Sequence, residues 1–336
     1  MEKVMKSVRI GVTCGDVGGI GMECFLKALE ELPKRAECML YAQPEHVLAT
    51  AETLTGAAQE RGLELSRTGR IDGVHLLPLD TQRREQPILG EWNPDWSDVS
   101  WESLERGAKE SQEGTVDAIL TLPITKRIVQ RPSEQFPGQT EFFAVRWAAD
   151  SYAMMLAAPH MRVVPVTTHI PLSEVPAALS RERIQACIAL TEAALVERFG
   201  IAHPTIAVCG LNPHAGEEGR LGREEIEIIE PAIAEFQPAA GSVIGPFAAD
   251  TLFPKQQEMG VDAIIAMYHD QGLIPLKTLF FDTGVNTTIG LPGIRTSPDH
   301  GVAYNLAGRN AASASSTLCA LQMAIEHARY RALESI

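Results

Sequence analysis

Short apolar runs alternate with periodic helical segments along most of the chain, the pattern of an α/β protein with a largely parallel sheet. Residues 8–13 read as a β-branched strand, followed by a glycine-rich stretch at 14–21 and a helix over 22–31. A second strand is expected at 38–42, a helix at 45–61, a short strand at 71–79 and an amphipathic helix at 103–114. Between the last two, 86–101 is broken by Pro87, Gly90 and Pro94 and reads as a surface excursion. The buried strand 116–122 runs out at Pro123-Ile124-Thr125-Lys126, and a turn at 136–141 leads into a helix with Thr140 as its expected N-cap. Further on, 152–157 and 161–166 read as a strand pair, 181–199 as a helix, 204–210 as a strand, 224–235 as a helix, 264–267 as the end of a strand and 311–332 as a long helix.

Three of these strands run straight into a histidine. They lead to Thr167-Thr168-His169, to Leu211-Asn212-Pro213-His214 and to Tyr268-His269-Asp270. In an alternating β/α chain such C-terminal strand ends lie along one sheet edge, so three imidazoles can meet around one divalent ion. Three histidines without a required carboxylate suit Zn, with Mg, Mn or Co as alternatives. The stretch 266–301 is the densest in chemistry. It holds His269, Asp270, Lys277, Asn286, Arg295 and His300, and the two cations suit a phosphate or carboxylate. Asp270 reads as either a group that supports a metal ligand or an acid/base group, Lys277 is a further acid/base candidate, and Asp250 reads as a further buried carboxylate at a strand-to-helix corner. The glycine stretch 14–21 is either an anion-binding loop or a tight turn packing the first helix on the sheet. Its GxxGGxG spacing, with Gln43 rather than an acidic residue after the second strand, is no Rossmann fingerprint.

The length of 336 residues fits two ordinary domains or one large α/β unit with a cleft. A net charge of −14, from 29 basic and 43 acidic side chains, argues against nucleic acid or an anionic membrane as partner. The six cysteines show no CxxC spacing, so neither a zinc ribbon nor a disulfide framework is indicated. No window approaches the roughly 18 apolar residues of a membrane span, and no signal-peptide core follows the first residues. A soluble, cytoplasmic protein is expected. A metal at strand ends can serve a dehydrogenase, by lowering the pKa of a substrate hydroxyl, or a hydrolase, by activating water. The histidines do not choose between them.

The segments GDVGGIG, LPITK, FPGQTE, VTTHIPL, LNPHAGEEGRLGREE, GPFAADTLF, MYHDQGLIPLKTL and GVNTTIGLPGIRTSPDHGVAYNLAG together resemble the 4-hydroxythreonine-4-phosphate dehydrogenase (PdxA) family, essentially from end to end. The resemblance implies a two-domain α/β/α fold similar to the isocitrate and isopropylmalate dehydrogenases, with the active site in the interdomain cleft at a homodimer interface. It implies a terminal domain of 1–125 with 285–336 bearing the dinucleotide site, and a central domain of 126–284 bearing the metal ligands and dimer interface. It assigns the metal to His169, His214 and His269, drawn from both monomers. Substrate contacts fall on Gln139, Thr140, Lys277, Asn286 and Arg295, supporting aspartates on Asp250 and Asp270, and cofactor contacts on His300, Gly301 and Asn305. The implied reaction oxidises 4-phosphooxy-L-threonine, a small phosphorylated hydroxy-amino acid, at its 3-hydroxyl with NAD (NADP as the alternative). Decarboxylation to 3-amino-2-oxopropyl phosphate follows, in pyridoxal 5'-phosphate biosynthesis. Departures from the family pattern are Gln139 where histidine is usual, Val17 for proline, Thr125 for asparagine, Asn305 for aspartate and Asn310 for glycine. Gln139 leaves open a related dehydrogenase of a four-carbon sugar-acid phosphate or a dihydrodiol carboxylate. A metal-dependent hydrolase or lyase without NAD is the alternative from another class.

Overall fold

The computed structural model describes residues 7–83 and 85–334. The chain's start at 1–6, on which the expectation of no signal peptide partly rests, lies outside the described residues. The strands are β1 (Val8–Thr13), β2 (Ala36–Tyr41), β3 (Arg70–Ile71), β4 (Val74–Leu77), β5 (Ala118–Thr121), β6 (Ala153–Ala158), β7 (Met161–Thr167), β8 (Thr205–Cys209), β9 (Ser242–Phe247), β10 (Ala263–Tyr268), β11 (Val285–Ile289) and β12 (Arg295–Pro298). By compactness the chain divides into one unit of 1–150 with 291–329 and another of 151–290 with 330–336.

In the first unit the strand order is β3-β4-β2-β1-β5-β12. All neighbours are parallel except the β3–β4 hairpin. Segment 126–150, assigned above to the central domain, packs here. Phe142, Phe143 and Trp147 share one apolar cluster with Leu104, Ile119 and Leu291, because the helix Gln139–Arg146 turns its aromatic face inward. The helix expected at 45–61 is two helices, Pro44–Ala51 and Gly56–Thr68. Gly56 breaks the run with a left-handed φ of 64°. The second half of the expected surface excursion is helical: a 3-10 turn, Pro94–Trp96, runs into the helix Ser97–Gln112, which starts ahead of residue 103 and buries Val99, Ser100 and Ser103.

In the second unit the order is β11-β6-β7-β10-β8-β9. Strands β7, β10, β8 and β9 are parallel, while β6 runs antiparallel to both β7 and β11. One face buries Val164, Ile188, Leu195, Val208 and Ile265. The other buries Val163, Leu252, Ile264 and Leu276. Covering both faces is what a parallel sheet requires, and it explains the apolar runs of β10 and of β7 beyond Arg162. Among the described residues no helix is long and apolar enough to cross a membrane.

Candidate active site

The three adjacent parallel strands β7, β10 and β8 end on the same sheet edge, and His169, His269 and His214 follow them in that order. Thr167 pairs with Tyr268 at the last rung of the ladder, so the chain leaves both strands at one level. The rings of His169 and His269 lie 5.6 Å apart between centroids, tilted by 43°. They line a cavity of about 410 Å³ with Thr167, Thr168, Tyr268 and Asp270. His169 holds a left-handed φ of 52°, a backbone state that persists in a non-glycine residue only where the surroundings enforce it.

His269 opens the helix His269–Phe280, and its Nδ1 lies 2.7 Å from the Asp270 carboxylate. With that carboxylate accepting from Nδ1–H, Nε2 keeps its lone pair for a metal, the arrangement by which carboxylates orient imidazole ligands. Asp270 thus orients a ligand as well as being an acid/base candidate. Lys277, two turns along the same helix, shares a second cavity of about 350 Å³ with His269, Asp270 and Leu273.

His214 is delivered differently. From His214 to Glu218 five successive residues have positive φ: 53°, 50°, 81°, 44° and 57°. Only Gly216 among them adopts this freely. Roughly 1–2 kcal/mol opposes it at each of the other four positions. The donor chemistry of the histidines fits a divalent ion. Among the described residues of one chain, however, no group of three or more His, Cys, Asp or Glu side chains is placed to share one. The single chain brings His169 and His269 together and holds His214 in its own left-handed turn. Asp250, expected to be buried, is exposed in the first turn of the helix Ala249–Lys255, because that short helix turns Leu252 and Phe253 inward instead. On β11, the side-chain oxygen of Asn286 is buried without a hydrogen-bond partner, an acceptor awaiting a donor.

The expected anion-binding residues of the first unit also converge. Arg295, on β12, is 3% exposed. Its Nη1 donates to the Thr140 hydroxyl at 3.1 Å, and its guanidinium lies 5.8 Å from the centre of the Phe143 ring. Burial pushes its pKa down to about 10, against the attraction of Glu141. Such a site favours an anionic ligand that restores the charge balance. Thr140 is not the N-cap of its helix. Gly138 occupies that position without a side-chain cap, and the Thr140 hydroxyl serves Arg295. Gln139 donates from Nε2 to the Leu122 carbonyl at 3.2 Å, which leaves its Oε1 buried without a partner.

The glycine stretch 14–21 is a packing turn rather than an anion cradle. A Cβ on Gly18 would meet the Glu91 carbonyl oxygen at 1.9 Å, and one on Gly19 would meet that of Val302 at 2.8 Å. Protein backbone fills the space a phosphate would need. Within it Asp16, 1% exposed, accepts from the Gly18 amide and from the Tyr304 hydroxyl at 2.7 Å, and burial raises its pKa. Past Tyr304, a cavity of about 640 Å³ is lined by Glu52, Gln86, Gly90, Tyr304, Asn305 and Arg309 among others. Asn305 reaches it. His300 lies outside that lining: its Nδ1 is 3.0 Å from the Gly301 carbonyl, its Nε2 is 3.4 Å from the Thr317 hydroxyl, and burial lowers its pKa.

Several residues that organise the site were missed from sequence. The Thr167 hydroxyl donates to the Met267 carbonyl at 2.8 Å. Gln271 accepts from the Met267 amide at 2.6 Å and donates to the Gly210 carbonyl at 2.7 Å. The Glu225 carboxylate accepts from the Leu211 and Asn212 amides. A polar residue next to a candidate ligand was the available signal for Gln271; Glu225 had none.

Comparison with known proteins identifies the family. The profile of the pyridoxal phosphate biosynthetic protein PdxA family matches residues 34–324. A 4-hydroxythreonine-4-phosphate dehydrogenase from Ruegeria sp. (strain TM1040) is 41% identical, covering 96% of this chain and 97% of that protein. One of the same description from Aquifex aeolicus is 40% identical, covering 94% and 97%. The crystal structure of the 4-hydroxythreonine-4-phosphate dehydrogenase from Klebsiella pneumoniae superposes with a TM-score of 0.79 at 33% identity, covering 96% of this chain and 100% of that one. With the profile spanning most of its length and relatives this similar end to end, the chain belongs to the PdxA family of pyridoxal phosphate biosynthetic proteins.

Proposed function

We propose that this chain is an NAD-dependent, divalent-metal-dependent dehydrogenase. It oxidises 4-phosphooxy-L-threonine at its 3-hydroxyl, with decarboxylation to 3-amino-2-oxopropyl phosphate, as a cytoplasmic homodimer. The activity named for relatives about 40% identical supports the reaction. The observation that carries the metal site is the approach of His169 to His269 with Asp270 on Nδ1 of the latter. His169, His214 and His269 would hold the ion, the set being completed between two copies of the chain. When bound, the metal supplies Lewis-acid polarisation of the substrate hydroxyl and NAD supplies the hydride acceptor.

The chain's own residues do the rest. Asp270 fixes the tautomer of His269. Lys277 takes the proton from the substrate hydroxyl. Arg295 and the Thr140 hydroxyl hold the phosphate, and the unpartnered oxygen of Asn286 accepts from a substrate amine or hydroxyl. Asp250 contributes negative charge from its exposed helix turn. Asn305 belongs to the cofactor site, where the cavity of about 640 Å³ is large enough for part of a dinucleotide, and His300 and Gly301 contribute from outside that lining.

The test is NADH formation by the purified protein with 4-phosphooxy-L-threonine, NAD and a panel of divalent ions, against chelator-treated controls. Metal-dependent turnover is expected. No turnover despite bound metal and bound NAD would remove the substrate assignment. One observation favours a second reading within the family. Gln139 spends its donor on Leu122 and presents an oxygen, which accepts from a hydroxyl but repels a phosphate dianion. That favours a dihydrodiol carboxylate, which carries no phosphate, over a four-carbon sugar-acid phosphate as the substrate to assay in parallel.

A further inference from the structure

We propose that Glu225 is the positioning residue that sets His214 for metal binding, an inference that rests on the metal reading given above. Glu225 is 1% exposed, and its carboxylate takes its hydrogen bonds from the two residues that lead from β8 towards His214. Oε1 accepts from the Leu211 amide at 2.7 Å and from the Asn212 amide at 2.8 Å, and Oε2 accepts from Asn212 Nδ2 at 2.9 Å. Asn212 Nδ2 also donates to Glu224 at 2.7 Å. The chain is shaped around this carboxylate. A Cβ on Gly210 would lie 3.0 Å from Oε1, and one on Gly216 would lie 2.5 Å from Oε2. Glycine on both flanks is therefore what lets the loop close over the charge.

A reason for burying a carboxylate here follows from the backbone beyond it. Besides the bonds internal to its 3-10 turns, the left-handed run from His214 to Glu218 is tied at its ends: the Ala215 amide donates to the Asn212 carbonyl at 3.1 Å, the Arg220 amide to the Glu217 carbonyl at 3.2 Å and the Leu221 amide to the Gly216 carbonyl at 3.1 Å. A conformation this unfavourable persists only when its surroundings over-determine it. The fixed point at its base is Asn212, which Glu225 grips by backbone and side chain together. Glu225 also opens a π-helical turn, Glu225–Ile229, a widened geometry that recurs at functional sites. With the grip released, the turn relaxes towards right-handed backbone and the imidazole of His214 leaves its place.

The experiment is a Co²⁺ titration of the purified full chain, read by equilibrium dialysis and visible absorption, on wild type, Glu225→Gln, Asn212→Ala and His214→Ala, with urea unfolding of each metal-free protein. Glu225→Gln is expected to bind Co²⁺ about 10- to 100-fold more weakly, with an altered visible band that saturating Co²⁺ restores. Wild-type affinity and band in folded Glu225→Gln, with only the unfolding midpoint displaced, would mean a purely structural role and overturn the proposal. Where Glu225→Gln does not fold, Asn212→Ala decides in the same way: several-fold weaker binding supports the proposal and wild-type affinity overturns it. His214→Ala separates the two levels. Undiminished Co²⁺ affinity in that variant overturns the metal reading itself. Weakened binding there, beside wild-type binding in Glu225→Gln, overturns the role of Glu225 alone.

Discussion

The Thr167 hydroxyl donates to the Met267 carbonyl at 2.8 Å, lacing β7 to β10 just ahead of the two histidines that follow them. Gln271 continues the lacing from the Met267 amide to the Gly210 carbonyl at the end of β8. Replacing Thr167 by Val keeps the shape and removes the donor, and is expected to cost about 1–2 kcal/mol. Gln271→Leu is expected to cost more, because it strands an amide and a carbonyl at once. Urea unfolding of the metal-free chain measures both; a wild-type midpoint in Thr167→Val would show that the lacing contributes nothing.

Asp270 is 69% exposed and touches His269. Asp270→Asn is expected to leave stability within about 0.5 kcal/mol and to lower metal affinity about 10- to 100-fold, since the amide no longer holds the imidazole in one tautomer. Metal titration beside urea unfolding distinguishes this from a general loss of structure.

At the anion site two substitutions should move KM in opposite directions. Gln139→His restores a donor that can carry charge, and for a phosphorylated substrate it is expected to lower KM by about 5- to 30-fold, equivalent to about 1–2 kcal/mol. Arg295→Lys loses the planar fork of a buried guanidinium, and is expected to raise KM by about 10- to 100-fold with a smaller effect on kcat. Should Gln139→His raise KM instead, the second substrate class gains the stronger claim.

His46 makes acid stability measurable. It is fully buried beside Trp96, and neither ring nitrogen has a hydrogen-bond partner among the described residues. Burial pushes its pKa from 6.5 down to about 3. The unfolded chain therefore binds a proton that the folded one refuses, and stability present above about pH 6.5 is lost as pH falls towards 3. The slope is at most about 1.4 kcal/mol per pH unit. Unfolding free energies at pH 7.5 and 5.5 should separate less in His46→Leu than in the wild type.

What was legible in the sequence follows from where burial and apolar pattern coincide. Strands β7, β8 and β10 announced themselves as apolar runs, and the histidines at their ends could be picked out by position alone. Strands β11 and β12 were not read, because VNTTI and RTSP carry polar side chains although most of those positions are buried. Their burial comes from neighbouring strands, which local composition does not record. The helix His269–Phe280 was hidden by Gly272 and Pro275. The roles of Thr167 and Glu225 depend on hydrogen bonds to distant residues, and no spacing rule exposes them.

Strand β12 pairs with β5 at Arg295–Ile119 and Thr296–Leu120, so the first unit is assembled from both ends of the chain. During synthesis β5 leaves the ribosome early and its partner strand much later. At roughly 5–20 residues per second, the intervening segment takes on the order of ten seconds or more to appear. Throughout that interval β5 is an apolar edge open to any other extended chain. A nascent chain stalled between the two strands is therefore the form of this protein most exposed to chaperone capture and aggregation, whereas the second unit, almost continuous in the chain, can close on itself first.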